Sequence, residues 1–185
     1  MNPKDSLREE HGTIMKMLSV LQRFFVKPMS LKDGEAKDLE ELIEFFEIYV
    51  DRHHHGKEEQ GLFPALSRAR TTDIDSLISS LLDDHCQARD YMKQIKSHAA
   101  SIQSCTGVDF DEFKEVAQRF VELVRKHIRK ENSEVLPLIE ERLSEIERFQ
   151  MSGQFHDLEE ATFGLRGLET FLVGVRILYL KYYRQ

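Results

Sequence analysis

Apolar residues recur along this chain at the three- and four-residue spacing of amphipathic helices, in windows much longer than a strand. The turn-forming residues between those windows separate four predicted helices. We predict their ranges as Asp5 or Ser6 to the Lys27-Pro28 boundary, Asp33-Gly34 to before Thr71, Thr72-Asp73 to about Ser104, and Asp109 towards Leu143. Four such helices predict an all-α, antiparallel up-down four-helix bundle.

Helical spacing continues in the last segment, from Phe155 to Tyr183. We predict a linker near Met151-Ser152-Gly153 and then an extra C-terminal helix packed on the bundle. The chain is thereby divided into a bundle over 1–149 and a helical extension over 150–185. The alternative is that this helix presents an apolar stripe to a second copy or a protein partner. The sequence does not decide between these two interpretations.

The two halves of the bundle repeat one pattern. Two acidic residues precede His11, and two precede His85. A glutamate follows His54 by four positions and a proline follows it by ten, and the same is true of His127. His11 and His54 are 43 residues apart, and His85 and His127 are 42 apart. The pattern predicts two helical hairpins related by a pseudo-twofold axis.

Residues four apart on a helix share one face, so His54 with Glu58, and His127 with Glu131, project together. Each hairpin then directs two imidazoles and one carboxylate into the bundle. The predicted metal ligands are His11, His54, Glu58, His85, His127 and Glu131. Four nitrogens and two carboxylates suit a pair of borderline metal ions, which each carboxylate can bridge. Iron fits best, manganese and zinc are alternatives, and at least one coordination position stays open.

The run His54-His55-Gly56-Lys57-Glu58-Glu59 to Leu62-Phe63-Pro64, with His127-Ile128-Arg129-Lys130-Glu131 to Leu136-Pro137, resembles the hemerythrin-like HHE cation-binding family. The resemblance covers about residues 5–145. It implies an oxo- or hydroxo-bridged di-iron centre held by the same six positions. O2 or another diatomic molecule is the implied ligand.

Two departures from oxygen-carrying hemerythrins affect function. Those proteins have a second histidine one turn after the third-helix ligand, where this chain has Arg89, and their last carboxylate is an aspartate five residues after its histidine, where this chain has Glu131 after four. The pattern is closer to bacterial-type members linked to oxygen or redox sensing, iron handling and repair of oxidative or nitrosative damage. His55 is an alternative fifth histidine, but adjacent α-helical residues point about 100° apart.

Other polar residues receive no metal role. We interpret His53, His98 and His156 as ordinary surface residues. We interpret Glu59 as a solvated acid or one that contacts a metal ligand, and it replaces Glu58 as the ligand only if the helix register differs. Glu10 and Asp84 are placed to hydrogen-bond ligand imidazoles, but helix-face charge is the commoner role of such acids.

Composition narrows the partners. The 185 residues are 41% hydrophobic and 32% charged, with a formal net charge of −7, which disfavours nucleic acid and anionic membranes. No apolar run is long enough to span a membrane, and Met1 to Ser6 lacks a signal peptide's apolar core, so we expect a cytoplasmic protein. Cys86 and Cys105 lie far apart outside any CxxC pattern, which argues against a disulfide framework.

Three classes of function remain. The first is a carrier or sensor whose di-iron site binds O2 or another diatomic molecule. The second is a di-iron enzyme that acts on peroxide or nitric oxide, or that protects against and repairs oxidative and nitrosative damage. In the third, the metal only stabilises the bundle.

Overall fold

The computed structural model describes residues 2–26, 33–68, 72–103, 110–164 and 167–183. Within these ranges the chain forms six helices and no strand: α1 (Pro3–Val26), α2 (33–67), α3 (Thr72–Gln103), α4 (110–142), α5 (Glu145–Phe163) and α6 (Gly167–Tyr183). No described helix has the length and apolar character needed to cross a bilayer. The predicted all-α bundle with a C-terminal helical addition is confirmed.

Helices α2 and α4 change their winding as they approach the middle of the bundle. In α2, the α-helix Asp33–Phe45 continues into the π-helical segments Phe46–His55 and Glu58–Leu62 and ends as the α-helix Phe63–Ser67. In α4, Phe110–Lys130 is α-helical, Glu131–Val135 is π-helical, and Leu136–Arg142 is α-helical again. The i→i+5 bonds of a π-helix accommodate an extra residue per turn and often mark functional sites. Both π-helical regions contain predicted metal ligands.

The four predicted bundle helices lie close to their expected ranges. The second, third and fourth begin at Asp33, Thr72 and Phe110, and α2 continues past Pro64 to Ser67. The predicted first boundary at Lys27-Pro28 and the Asp109 cap lie outside the described residues. Helix α4 packs against both α1 and α3, and α2 packs against α3, as expected for an antiparallel bundle with short connections.

The C-terminal addition differs from the prediction. The linker predicted at Met151-Ser152-Gly153 is wrong, because these residues lie inside α5. Helix α5 begins earlier because Ser144 and Glu147 form a reciprocal capping box, in which the Ser144 hydroxyl accepts from the Glu147 N–H and the Glu147 carboxylate accepts from the Ser144 N–H. Gly164 and Gly167 have positive φ angles of 54° and 67°, at the end of α5 and the start of α6. The division at residue 149 stays a prediction.

The core consists of two hydrophobic clusters with a polar layer between them. One cluster contains Ile14, Val50, Ala88 and Val124, and the other contains Leu7, Leu62, Leu81 and Val135. Each of α1 to α4 passes from one cluster to the other. Five of the six predicted metal ligands lie on the stretches between, and His127 lies beside Ile128 at the edge of the first cluster. The fold therefore encloses the polar layer with apolar side chains above and below.

Candidate metal centre

The structure brings all six predicted ligands into the polar layer. None has more than 3% of its surface exposed. They come from the four bundle helices: His11 from α1, His54 and Glu58 from α2, His85 from α3, and His127 and Glu131 from α4. Burial of so many ionisable groups is costly unless each one is compensated. The arrangement therefore requires an explanation beyond packing.

The two carboxylates each reach two imidazoles. Glu58 places Oε1 at 3.5 Å from His54 Nε2 and Oε2 at 3.4 Å from His85 Nε2. Glu131 places Oε2 at 3.1 Å from His11 Nε2 and Oε1 at 3.3 Å from His127 Nε2. Each carboxylate thus connects the two hairpins, with one oxygen directed to each side. This is the arrangement expected of a carboxylate that bridges two cations.

Most of the inward-facing atoms have no hydrogen-bond partner. Both oxygens of Glu58 and of Glu131 are buried without one, and so are Nε2 of His11 and Nε2 of His54. Although the imidazole nitrogens lie within ion-pair distance of these oxygens, they do not meet hydrogen-bond geometry. Buried polar groups are normally paired. A cation among these atoms would compensate all of them, so the donor set fits a metal.

The donor atoms fall into two overlapping groups, in each of which all the atoms lie within 4.8 Å of one another. Group A contains His55, Glu58, His85 and His127, and group B contains His11, His54, Glu58 and Glu131. Glu58 belongs to both groups, which is the expected position for a ligand shared by two ions. The cluster has the composition to hold metal, and the ligand role of each single residue stays a prediction.

Each of the four predicted histidines is oriented by an oxygen at its other ring nitrogen. Within the hairpins, Glu10 accepts from His54 Nδ1 at 2.8 Å, and Asp84 lies 3.4 Å from His127 Nδ1. Between the hairpins, Glu59 lies 2.7 Å from His85 Nδ1 and Asn132 lies 3.1 Å from His11 Nδ1. A proton held on Nδ1 would leave the Nε2 lone pair available to a metal, as ligation requires. In the metal-free protein His85 Nε2 and His127 Nε2 lie 3.2 Å apart, within hydrogen-bond distance of each other. Although burial opposes it, the charge of Glu131 raises the pKa of His127 to about 9, so His127 must lose a proton when a metal binds.

Sequence reasoning gave Glu10 and Asp84 no role, and of its two options for Glu59 the structure supports the acid that contacts a ligand. The signal that identifies them is the repeat itself. Glu10 and Asp84 immediately precede the first histidine of each half, and Glu59 and Asn132 immediately follow its glutamate. The pseudo-twofold symmetry therefore relates the orienting residues of the two halves as well as the predicted ligands.

Burial and neighbouring charges set the protonation of the centre. Burial lowers the pKa of His54 to about 4, although the hydrogen bond to Glu10 opposes this, so the ring is a neutral donor near pH 7. Burial and the nearby Glu131 raise the pKa of Glu58 well above its usual value. For Glu131, the positive charges of His127 and His11 outweigh burial and hold its pKa well below the usual value. The metal-free centre therefore disfavours two free carboxylates, which a divalent cation would stabilise together.

His55 also reaches the centre. Its ring stacks on that of His85, with centroids 3.8 Å apart and planes at 14°. The 100° separation of adjacent residues holds for an α-helix but not for the π-helical segment that carries His54 and His55. With more residues in each turn, adjacent side chains diverge less, and both imidazoles enter the core. His55 Nδ1 lies 3.5 Å from Asp51 without hydrogen-bond geometry.

The interpretation of His53 as a surface residue is wrong. Its side chain is fully buried, 3.5 Å from Glu10, and the ring of Phe163 on α5 covers it at a centroid distance of 5.1 Å. Lys57 is buried beside it and donates to Glu10 at 2.5 Å. His156 is exposed, as predicted. The prediction for His53 failed because the sequence does not show which face of the bundle the C-terminal addition covers, and α5 covers the outer face of α2.

Comparison with known proteins agrees with this geometry. The family model described as hemerythrin HHE cation binding domain matches residues 2–139. Uncharacterized proteins of Mycobacterium tuberculosis and Mycobacterium bovis are 22% identical over 169 residues, which cover 91% of this chain and 65% of theirs. A protein of Nostoc sp. named DNA nickase is 25% identical over 157 residues, covering 84% of this chain and 38% of that protein. The chain thus spans about two thirds or less of the length of these relatives.

Proposed function

We propose that this chain, which belongs to the hemerythrin family of HHE cation-binding domains, is a non-haem di-iron protein that binds O2 or another diatomic molecule for sensing, carriage or iron handling. The observation that carries the proposal is the pair of overlapping donor groups that share Glu58. Two groups within one buried layer support two ions rather than one.

The donor set supports iron. Imidazole nitrogens with carboxylates suit iron, and zinc and manganese remain alternatives that the same atoms can bind. When bound, a pair of ferrous ions supplies the electrons and the open coordination position that a diatomic ligand needs. The residues of the chain supply the rest: Glu58 connects the two positions, Glu131 completes one of them, and the Nδ1 partners keep the imidazoles directed inward.

The surroundings suit binding of a neutral molecule. The clusters on either side of the polar layer consist of fully or nearly fully buried aliphatic and aromatic residues, including Ile14, Leu18, Leu62 and Val135. Such walls exclude bulk water and strengthen the electrostatic interactions within the centre. The proposal therefore places a small diatomic ligand, rather than a large substrate, at the open position.

Anaerobic reconstitution with ferrous iron tests the proposal. We expect two irons per chain and a visible charge-transfer band that appears with O2 and disappears when O2 is removed. His54→Ala should lose iron, whereas His156→Ala, which changes an exposed histidine outside the centre, should not. Irreversible oxidation with consumption of peroxide would instead support the enzyme alternative, and the absence of iron uptake would refute the di-iron assignment.

A further inference from the structure

A ligand that reaches the centre must cross the protein, because every residue of groups A and B is at most 3% exposed. Either the helices separate or the fold contains a path. Such a path would be a cavity with a residue of the centre in its wall.

A cleft of about 190 Å³ lies between α2, α3 and α4 and meets this condition. The ring of His55 forms part of its wall. The buried part of its wall is otherwise apolar, formed by Phe46, Val50, Ala88, Met92 and Phe120, and the charged residues that also line it are partly or fully exposed: Glu47, Asp51, Arg89 and Lys93. A larger cavity of about 560 Å³, beside Phe45, Phe171 and Leu178, has no residue of either donor group in its wall. The smaller cleft is therefore the better candidate for access.

The charges around the mouth of the cleft are paired. Arg89 Nε donates to Asp51 Oδ1 at 2.6 Å, and the Arg89 guanidinium also donates to Glu59 at 2.7 Å. Glu47 accepts from Lys96 at 2.7 Å, and Lys93 donates to Asp90 at 3.0 Å. An ion would have to leave water for an apolar interior and find no uncompensated charge at the mouth. The cleft therefore suits an uncharged molecule.

Arg89 has a particular position in this arrangement. It lies on α3, one turn after His85, and both of its acidic partners lie on α2. Asp51 faces the Nδ1 of His55, and Glu59 faces the Nδ1 of His85. One guanidinium thus joins two of the three helices that border the cleft and fixes the acids beside two stacked imidazoles.

We propose that this cleft binds a small uncharged molecule of the O2 class and is its access route to the His55 side of the centre, with the Arg89 ion pairs across its mouth. The role of the cleft as an access route rests on the proposed function. The apolar pocket itself is independent of any metal.

Xenon tests the pocket in the metal-free protein, since apolar cavities bind it. We expect added xenon to shift the methyl NMR signals of Ala88 and Met92, but not that of Ala65, which is buried in the other hydrophobic cluster. Ala88→Phe should fill the cleft and abolish the shift at Met92. If xenon leaves Ala88 and Met92 unchanged in the wild-type protein, the pocket does not exist in solution and the proposal is overturned.

Ligand kinetics test the route. In the iron-loaded protein, Ala88→Phe should slow O2 association and dissociation together, by about tenfold each, with the equilibrium constant unchanged. Ala161→Phe is the matched control, because Ala161 lines a different cavity, between α2 and α5. If Ala88→Phe does not fold, Met92→Trp narrows the same cleft from the same helix.

The outcomes separate the two proposals. If the wild-type protein binds O2 and both rates are unchanged in Ala88→Phe, the route is wrong and the proposed function stands. If the equilibrium constant changes while dissociation does not, the substitution has altered the centre itself and the route is again wrong. If the wild-type protein takes up iron but never binds O2, the proposed function fails and the access role fails with it, whatever xenon shows.

Discussion

The first hairpin, α1 with α2, and the second, α3 with α4, present the same donors but have different surroundings. In the first, the acid that orients the ligand histidine is Glu10, which is buried and ion-paired with the buried Lys57. In the second, it is Asp84, whose side chain is 27% exposed. The lysine that matches Lys57 is Lys130, which donates to Ser80. The two hairpins thus supply the same donors, but the acid and the lysine beside those donors are buried and paired with each other only in the first hairpin.

The outer faces of the hairpins explain this inequality. Helix α5 covers α2 at Gly56 and Gly61, where a Cβ atom would lie 3.0 Å from Leu158 and 3.0 Å from Phe155, respectively. The matching positions in the second hairpin are Arg129 and Glu134, and both are exposed. Glycine permits the close approach of a fifth helix, whereas long charged side chains keep the other face in water. The C-terminal addition therefore covers the face that carries the buried lysine, Lys57, in the first hairpin, and the matching face of the second hairpin stays exposed.

The largest expected effect is on the number of metal ions bound, and it distinguishes the two carboxylates of the centre. Because Glu58 belongs to both donor groups and Glu131 to one, Glu58→Ala should abolish binding of both ions, whereas Glu131→Ala should leave group A able to hold one. Metal per chain after dialysis, measured by elemental analysis, checks this. Equal loss in the two variants would show that the carboxylates are equivalent and that the grouping is wrong.

The next effect compares the two orienting acids in the metal-free protein. Glu10→Ala leaves Lys57 buried without its anion and His54 without its acceptor, so we expect it to lower the free energy of unfolding by about 3–5 kcal/mol. Asp84→Ala removes a partly exposed acid and should cost at most about 1 kcal/mol. Urea unfolding followed by circular dichroism measures both.

The control for this comparison removes the Lys57 ammonium, which Glu10→Ala leaves unpaired. Glu10→Ala combined with Lys57→Met should recover part of the loss, since a neutral side chain tolerates the apolar site. If the double variant is less stable than Glu10→Ala alone, the unpaired ammonium is not the cause of the loss.

The bundle was predictable from the sequence because helical periodicity and breakers are local properties. The ranges of α2 and α3 follow from apolar spacing and turn residues, and the structure confirms them. The start of α5 was missed because Gly153 was read as a breaker, although it lies on the exposed face of a helix whose Met151 and Phe155 are buried. A glycine ends a helix only where the chain must turn, as at Gly164 with its positive φ.

The centre was predictable as far as the repeat extends. Spacing brought the six residues together, because positions four apart share a helix face whatever the rest of the fold does. Residues outside the repeat were not predictable in this way. His55 enters through π-helical winding, and His53 is buried by a helix from the end of the chain. Both depend on tertiary packing, which a periodic pattern does not encode.

A smaller effect tests the contact between α5 and α2. Gly61→Ala places a Cβ atom 3.0 Å from the Phe155 ring, so the ring must shift. Alanine also has the higher helix propensity, which offsets part of this cost. We expect a net decrease of about 1 kcal/mol in the free energy of unfolding. Glu134→Ala, the matching change in the second hairpin, should have no measurable effect. The urea unfolding midpoints of the two variants measure this difference. A Gly61→Ala protein as stable as the wild type would show that α5 is not tightly packed against α2 at Gly61.

The finest comparison concerns the single donor that the second hairpin lacks. His55 is matched there by Ile128, so His55→Ile makes the two hairpins alike at this position. If His55 completes group A, the substitution should weaken binding of one cobalt ion by about tenfold, the scale typical of losing a supporting group, and leave the ion in group B unchanged. Stepwise titration with Co²⁺, followed by its visible d–d bands, resolves the two steps. Two unchanged steps would assign His55 to packing against His85 alone. Weakening of both steps would mean that the two positions depend on each other through the shared Glu58.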